Sequence, residues 1–275
     1  MISLTSEIAQ IEALLSAGDA KSVVYAALEA RLALEKICYD RLRQHHDYIA
    51  YADLRKWQPA KVMNQLIEEV DSAAAYTRVI SISKTPHRED QRLDDADFIQ
   101  IGEEVGFPPA LIAKLWNSLS NLALHVRLPR SRKDQIPAYP DPAKVGDKVR
   151  EALAEIKRIS ASTVTMSGLG AEVTFECECG KANKRRADLL REGQVVSCAN
   201  FECNWSWVVR LEGDQINFQR QGVDVSCKDC GHEDALPWRE IEKLRIGQVA
   251  NWDCPECNGK NLVALQLYQA RNRKA

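Results

Sequence analysis

The sequence predicts an α+β chain: an N-terminal all-α helical bundle over residues 1–165, followed by two small β modules over 166–222 and 223–275. Three observations lead there. Before Met166, apolar residues recur at helical spacing. After it, eight of the nine cysteines fall in four close pairs between Cys177 and Cys257. Within that cysteine-rich part a six-residue pattern repeats: Leu190-Arg191-Glu192-Gly193-Gln194-Val195 returns as Leu244-Arg245-Ile246-Gly247-Gln248-Val249, each time ahead of a cysteine pair.

The helical elements follow in order. Leu4, Ile8, Ile11 and Leu15 predict a short first helix. Asp19 can cap a longer one whose stripe carries Val24, Leu28, Cys38 and Leu42. Pro59 opens a third helix with Val62, Met63, Leu66 and Val70, and Pro108 and Pro109 open a fourth with Ile112, Leu115, Trp116, Leu119 and Leu122. A fifth runs from about Asp141 through Val145, Val149, Leu153 and Ile156. Arg78 to Ser83 reads as a short strand. Helices of this number and spacing make a bundle the expected architecture.

Length, charge and hydropathy narrow the function. At about 100–200 residues per domain, 275 residues suit more than one domain. Lys and Arg number 37 against 39 Asp and Glu, a net charge of −2. Before Met166 the split is 22 to 23, and from it onward 15 to 16, so neither part carries the overall basic field of a protein held mainly by generic attraction to phosphate. The opening MISLTSEIAQ has no secretion pattern, and the longest apolar run, Val23 to Leu28, is too short to cross a bilayer. The expectation is a cytoplasmic chain with no membrane partner.

Two polar pairs interrupt the helical stripes. Arg31 and Glu35 are four residues apart, within the apolar stripe of their helix, where a charged pair is costly unless satisfied. It either fixes register as an ion pair or lines a cleft. Asn121 and His125, also four apart, point off the stripe of the Trp116 helix together with Lys114 and Ser118. They read either as a solvated face or as an interface. Arg41 and His46 form a third combination, in Arg41-Leu42-Arg43-Gln44-His45-His46: a guanidinium for a phosphate and an imidazole for a proton. The alternative is an exposed basic patch at a helix end.

The run Ala30-Arg31-Leu32-Ala33-Leu34-Glu35-Lys36-Ile37-Cys38 resembles the "aR-x-alE" helix of HEPN-like bundles, and Leu119-Ser120-Asn121-Leu122-Ala123-Leu124-His125 is similar to their later "N-x-x-x-H" helix. The resemblance spans roughly residues 19–160. It implies a bundle that dimerises through the face bearing the polar residues, and a bacterial accessory or defence-associated role. Active members are ribonucleases whose later helix carries an arginine four to six residues ahead of a histidine. Counted back from His125, those positions hold Ser118, Leu119 and Ser120, so the resemblance implies a non-catalytic or degenerate member.

The cysteine pairs carry the clearest chemistry. They are Cys177 with Cys179, Cys198 with Cys203, Cys227 with Cys230, and Cys254 with Cys257. Eighteen residues separate the first two pairs and 23 the last two. Two tight pairs around a long hairpin is the pattern of a tetrahedral four-cysteine zinc site, so each half reads as a zinc ribbon holding one ion, two in all. The repeat favours successive sites over interleaved ones. Disulfides are the alternative, at odds with a reducing compartment, and iron also fits four thiolates. Four thiolates close the shell, so the ions are expected to be structural. Cys38, on a helical stripe, reads as a core residue.

Lys181, Lys184, Arg185 and Arg186 form a local basic run in the first ribbon, and Arg271, Arg273 and Lys274 add charge to the tail. Trp205 and Trp207 alternate on an expected strand, where they either stack bases or fill the ribbon core. The resulting expectation is a non-catalytic chain, homodimeric through its bundle, whose ribbons bind DNA, RNA or a protein partner. One rival is a metal-independent ribonuclease in which Arg31 or Arg41 contacts phosphate and His46 or His125 moves the proton. The other is an adaptor that binds protein alone.

Overall fold

The computed structural model describes residues 2–50, 54, 58–86, 94, 97–125, 129, 131–133, 136, 139–166 and 170–265. The chain divides into two compact units, Met1–His46 with Lys56–Gly170, and Asp47–Arg55 with Ala171–Ala275. No helix among the described residues is long and apolar enough to cross a membrane.

The first unit holds α1 (Thr5–Ala17), α2 (Ala20–Arg43), α3 (Pro59–Glu69), α4 (Pro109–Leu119) and α5 (Pro142–Ser160). Local chemistry sets their ends. Gly18, at φ 71°, takes the left-handed turn that stops α1. The Asp19 carboxylate then accepts from the N–H groups of Lys21 and Ser22, both at 3.0 Å, and starts α2. Asp141 accepts from Ala143 N–H, with Pro142 in the first turn of α5. Helix α2 is central and packs against all four others. Its buried side is Val23, Ala26, Ala27, Ala30, Ala33, Leu34, Ile37 and Cys38; of the expected stripe Val24, Leu28, Cys38 and Leu42, only Cys38 is buried and the other three are half-buried. The correction has a steric reason: alanines let neighbouring helices approach closely, and a reading weighted by large apolar residues passes over them.

This unit is not all-α. β1 (Arg78–Ser83) and β2 (Phe98–Glu104) form an antiparallel hairpin between α3 and α4, with an irregularity at Ile80/Ser81. Gly102 is required in β2 because a Cβ there would collide with Val164 Cγ1. The segment after α5 lies against it: Thr163 N–H donates to Glu103 O at 2.9 Å, and Glu103 N–H to Thr163 Oγ1 at 2.9 Å. At the root of the hairpin Glu104 is 2 % exposed. It pairs with Arg41 and accepts from Arg78 Nε at 2.8 Å, while Arg78 also holds Asp71.

The second unit is β-rich: β3 (Glu172–Glu176), β4 (Ala182–Arg186), β5 (Val195–Ser197), β6 (Ser206–Glu212), β7 (Gln215–Ser226), β8 (Glu233–Pro237), a one-turn α6 (Trp238–Ile241), β9 (Val249–Asp253) and β10 (Lys260–Ala264). β3–β4 and β9–β10 are separate hairpins, and β5-β6-β7-β8 is one antiparallel sheet. The expected boundary at 222/223 lies inside β7, which pairs with β6 up to Gln221 and with β8 from Gly222. Gly222 is where the strand changes partners. A Cβ there would meet Leu236 O at 2.9 Å and the Trp205 ring at 3.0 Å. Gly222→Ala is therefore expected to cost about 1–3 kcal/mol by overpacking, read as a lower midpoint in denaturant unfolding of the metal-loaded protein. An unchanged midpoint would contradict that close approach.

Candidate metal centres

Each cysteine pair occupies the turn of a hairpin: Cys177 and Cys179 between β3 and β4, Cys198 and Cys203 between β5 and β6, Cys227 and Cys230 between β7 and β8, Cys254 and Cys257 between β9 and β10. Backbone bonds shape the turns. Cys177 N–H donates to Lys181 O at 3.0 Å, Cys227 N–H to His232 O at 2.8 Å and Cys254 N–H to Gly259 O at 2.9 Å. In the second half, the residue four after the first cysteine of each pair turns left-handed. It is Gly231 at φ 75° in one and Asn258 at φ 57° in the other, and asparagine tolerates that region better than most side chains.

The eight sulfurs form two groups, Cys177, Cys179, Cys198 and Cys203, then Cys227, Cys230, Cys254 and Cys257, with all ligand atoms of a group within 4.8 Å of one another. The groups are successive along the chain. Short sulfur–sulfur distances are 3.5 Å for Cys177–Cys203, 3.7 Å for Cys179–Cys198, 3.6 Å for Cys227–Cys257 and 3.7 Å for Cys230–Cys254. A disulfide would need about 2.05 Å. A tetrahedron with bonds of about 2.3 Å to a central zinc has edges of about 3.8 Å, close to what these sulfurs present. All eight cysteines are free thiols, so the donor set fits a four-thiolate divalent ion, which would supply a cross-link between hairpins.

The sulfurs of each group and the N–H groups around them shift one another's ionisation. N–H donation from Cys230 and the Asn261 amide draws Cys227 down to about 6. Cys257 is pushed up to about 12 despite the Gly259 N–H, because its thiol donates to neighbouring sulfurs, Cys230 first. At the first group burial opposes ionisation of Cys179, yet the Lys181 N–H and the Asn200 amide bring it to about 7. Each sulfur that ionises disfavours the next, and a bound dication removes that conflict. Asn200 donates through its N–H to Cys198 Sγ at 3.4 Å and through Nδ2 to Cys179 Sγ at 3.7 Å, and Asn261 Nδ2 donates to Cys227 Sγ at 3.5 Å. Sequence reasoning missed both asparagines. The available signal was an amide inside or just after a cysteine turn.

Small apolar clusters pack around each centre. Cys177, Cys198 and Cys203 are buried with Leu190, Val196, Trp207 and Val209, and Cys227 and Cys254 with Leu236, Ile241 and Trp252. Of the two readings of the tryptophans, base-stacking face and ribbon core, Trp207 takes the second. Trp207 is 5 % exposed and sits 4.9 Å from the Phe175 ring, and half-buried Trp205 packs on the same cluster.

The basic run is corrected as well. Arg185 is 2 % and Arg186 3 % exposed. Arg185 Nη2 donates to Ser197 O at 2.6 Å, and Arg186 pairs with Glu172 at 2.9 Å with its guanidinium over the Tyr48 ring. Lys181 pairs with Asp47 at 2.7 Å, which leaves Lys184 as the exposed member. Residues 47–50 thus belong with the first ribbon, and Lys184 N–H donates to Asp47 O at 3.1 Å. Arg271, Arg273 and Lys274 lie outside the described residues.

In the first unit Arg31 Nε stands 3.3 Å from Glu35 Oε1, and Trp116 Nε1 donates to the same oxygen at 2.7 Å. The Arg31 guanidinium lies 4.3 Å from the Trp116 ring centroid. The indole from α4 therefore gives Glu35 a hydrogen bond, while Arg31 Nε stands at ion-pair distance from the same oxygen and makes no hydrogen bond among the described residues. Asn121 and His125 are exposed and are not one α-helical turn apart, because the chain becomes a π-helix over Ser120–Leu124 and His125 is extended. Among the described residues, no hydrogen bond or ion pair joins either to Arg31 or Glu35. Arg41 and His46 do not form a surface pair. Arg41 is buried, pairs with Glu104 and donates to Val105 O at 3.4 Å, while His46 is exposed. Burial, then the nearby Arg78 charge, pull the Arg41 guanidinium down to about 10, still ionised at neutral pH. Cys38 is fully buried and its thiol is pushed up to about 12 by that burial. Compared with known protein families, with curated proteins and with solved structures, the chain matches none.

Proposed function

We propose that this chain is a non-catalytic adaptor: a HEPN-like helical unit, paired with a second copy, carrying tandem zinc ribbons that bind a protein partner in preference to nucleic acid. The observation that carries this reading is the burial of Arg185 and Arg186, which spends the local basic run inside the first ribbon. A groove beside the first four-cysteine group supports it. Its lining includes Glu178, Glu202 and Glu240 around Trp205, and a loaded centre adds two negative charges. Such a wall repels a phosphate backbone and suits a partner segment bearing lysine or arginine. The chain supplies an example of that chemistry in Arg220, which pairs with Glu178 at 3.3 Å and lies 5.0 Å from the Trp205 ring centroid. Tyr25 and Leu32, seven residues apart on α2 and both exposed, support pairing of two copies through that helix. The engagement of the buried Arg41 by Glu104 speaks against a ribonuclease that would use Arg41 on phosphate.

Fluorescence anisotropy tests the reading. Zinc-loaded protein at low salt is expected to bind a labelled Lys/Arg-rich peptide and neither a single-stranded RNA nor a duplex DNA of matched length, and to leave the RNA uncut. Oligonucleotide binding that weakens with salt, with a slope of about 0.9 per neutralised duplex phosphate, would restore the nucleic-acid reading.

A further inference from the structure

The two metal centres are not equivalent in access. At the first, Cys177, Cys198 and Cys203 are buried and only Cys179 is exposed. Both members of the Cys177–Cys203 pair, 3.5 Å apart, are buried, with Cys203 lining the groove beside this centre. Phe175, stacked on Phe218 at 4.2 Å and tilted against Trp207 at 4.9 Å, closes the apolar side of that cluster. At the second, Cys230 and Cys257 are exposed, one from each turn, while Cys227 and Cys254 are buried. Every close pair there joins one exposed sulfur to one buried sulfur: Cys257 to Cys227 at 3.6 Å and Cys230 to Cys254 at 3.7 Å.

Thiolate reactivity towards oxidants requires access, and conversion to a disulfide requires a second sulfur within reach. We infer that the second centre is a peroxide-reactive modification site that surrenders its ion on oxidation, while the first holds its ion and keeps the neighbouring ribbon folded. The exposed thiolate of Cys230 or Cys257 attacks the O–O bond of a hydroperoxide, forming a sulfenic acid and releasing hydroxide from hydrogen peroxide. The buried partner, Cys254 or Cys227, then attacks the sulfenic sulfur, closing an S–S bond and expelling a second hydroxide. Each pair gives up two electrons, and one hydrogen peroxide with two protons becomes two waters. Two thiolates remain, too few to complete a tetrahedral shell, and the ion leaves. Each disulfide formed in this way joins the β7–β8 turn to the β9–β10 turn and so preserves the hairpin pairing in reversible form.

The test uses the full zinc-loaded chain and hydrogen peroxide, with released zinc read by a chromophoric chelator and disulfides mapped by mass spectrometry. One ion per chain is expected in a fast phase, at least about threefold faster than the second, accompanied by Cys227–Cys257 or Cys230–Cys254. Thiol reductant with added zinc should restore the two-ion stoichiometry. Release of both ions in one phase, early formation of Cys179–Cys198, or no release at peroxide levels that oxidise a free-thiol peptide would each overturn the inference.

Discussion

Cys198→Ser is expected to reduce bound metal from two ions to one per chain and to unfold the first ribbon while the helical unit keeps its far-ultraviolet signal. Cys198 is fully buried, and its sulfur stands 3.7 Å from that of Cys179. A serine there replaces a thiolate by a hydroxyl that stays protonated and binds zinc weakly. Among the described residues the apolar cluster around this centre has seven buried members, three of them the cysteines, with the other apolar side chains packed on it only partly buried, so little core remains once the ion is gone. Structural zinc sites contribute about 10–16 kcal/mol of binding energy at neutral pH, most of which appears as folding energy in so small a module. Chelation of the parent protein should have the same effect on both ribbons. Elemental analysis for stoichiometry and amide NMR dispersion for folding read the outcome. A Cys198→Ser protein that retains two ions and a dispersed second unit would refute the assignment of these sulfurs as ligands. Conversely, Cys38→Ser should leave the stoichiometry at two, because that thiol lies in the helical core.

The helices and metal groups were legible in the sequence for a common reason: their signals are local. A cap at Asp19, prolines at 59 and 109 and an apolar residue every third or fourth position act within one turn of chain, and cysteines paired across a hairpin tip announce their geometry by spacing. What stayed hidden depends on contacts distant in sequence. β2 has Glu104 and Gly102 on the buried side, and neither residue signals a strand interior. Both make sense only beside Arg78 and Val164. The run Lys181 to Arg186 reads as a solvated basic patch because its partners, Asp47, Tyr48 and Glu172, come from elsewhere in the chain. Trp207 was legible as a strand residue, while Trp205 falls just ahead of β6, and which face of so short a strand is buried is decided by Phe175 and the cysteines. Asn121 and His125 look one helical turn apart, and the π-helical turn that changes their phase has no local mark in Ser120-Asn121-Leu122-Ala123-Leu124.

The buried ion network of the first unit makes the second large prediction. Glu104 joins Arg41 from α2 to Arg78 from β1, and its Oε1 also accepts from Met166 N–H at 3.2 Å. Glu104→Gln preserves shape and removes the charge, leaving two guanidinium groups beside one another, offset by Asp71 and, near Arg41, by Asp40. Breaking a buried pair from one side costs about 3–5 kcal/mol, because the remaining charge stays desolvated. For a unit of this size that corresponds to a fall in Tm on the order of 10 °C. Arg43→Ala is the matched control. That guanidinium is 74 % exposed and pairs with Asp40 at 2.7 Å, so its loss should change stability by less than about 1 kcal/mol. Arg41→Met combined with Glu104→Met should recover part of the loss, since apolar replacement of both partners removes the desolvation penalty along with the attraction. A catalytic arginine would behave differently: its removal would tend to spare or raise stability while abolishing an activity. If Glu104→Gln unfolds at the parent temperature, Arg41 is free to leave Glu104, and the case against its acting on a phosphate loses its physical basis.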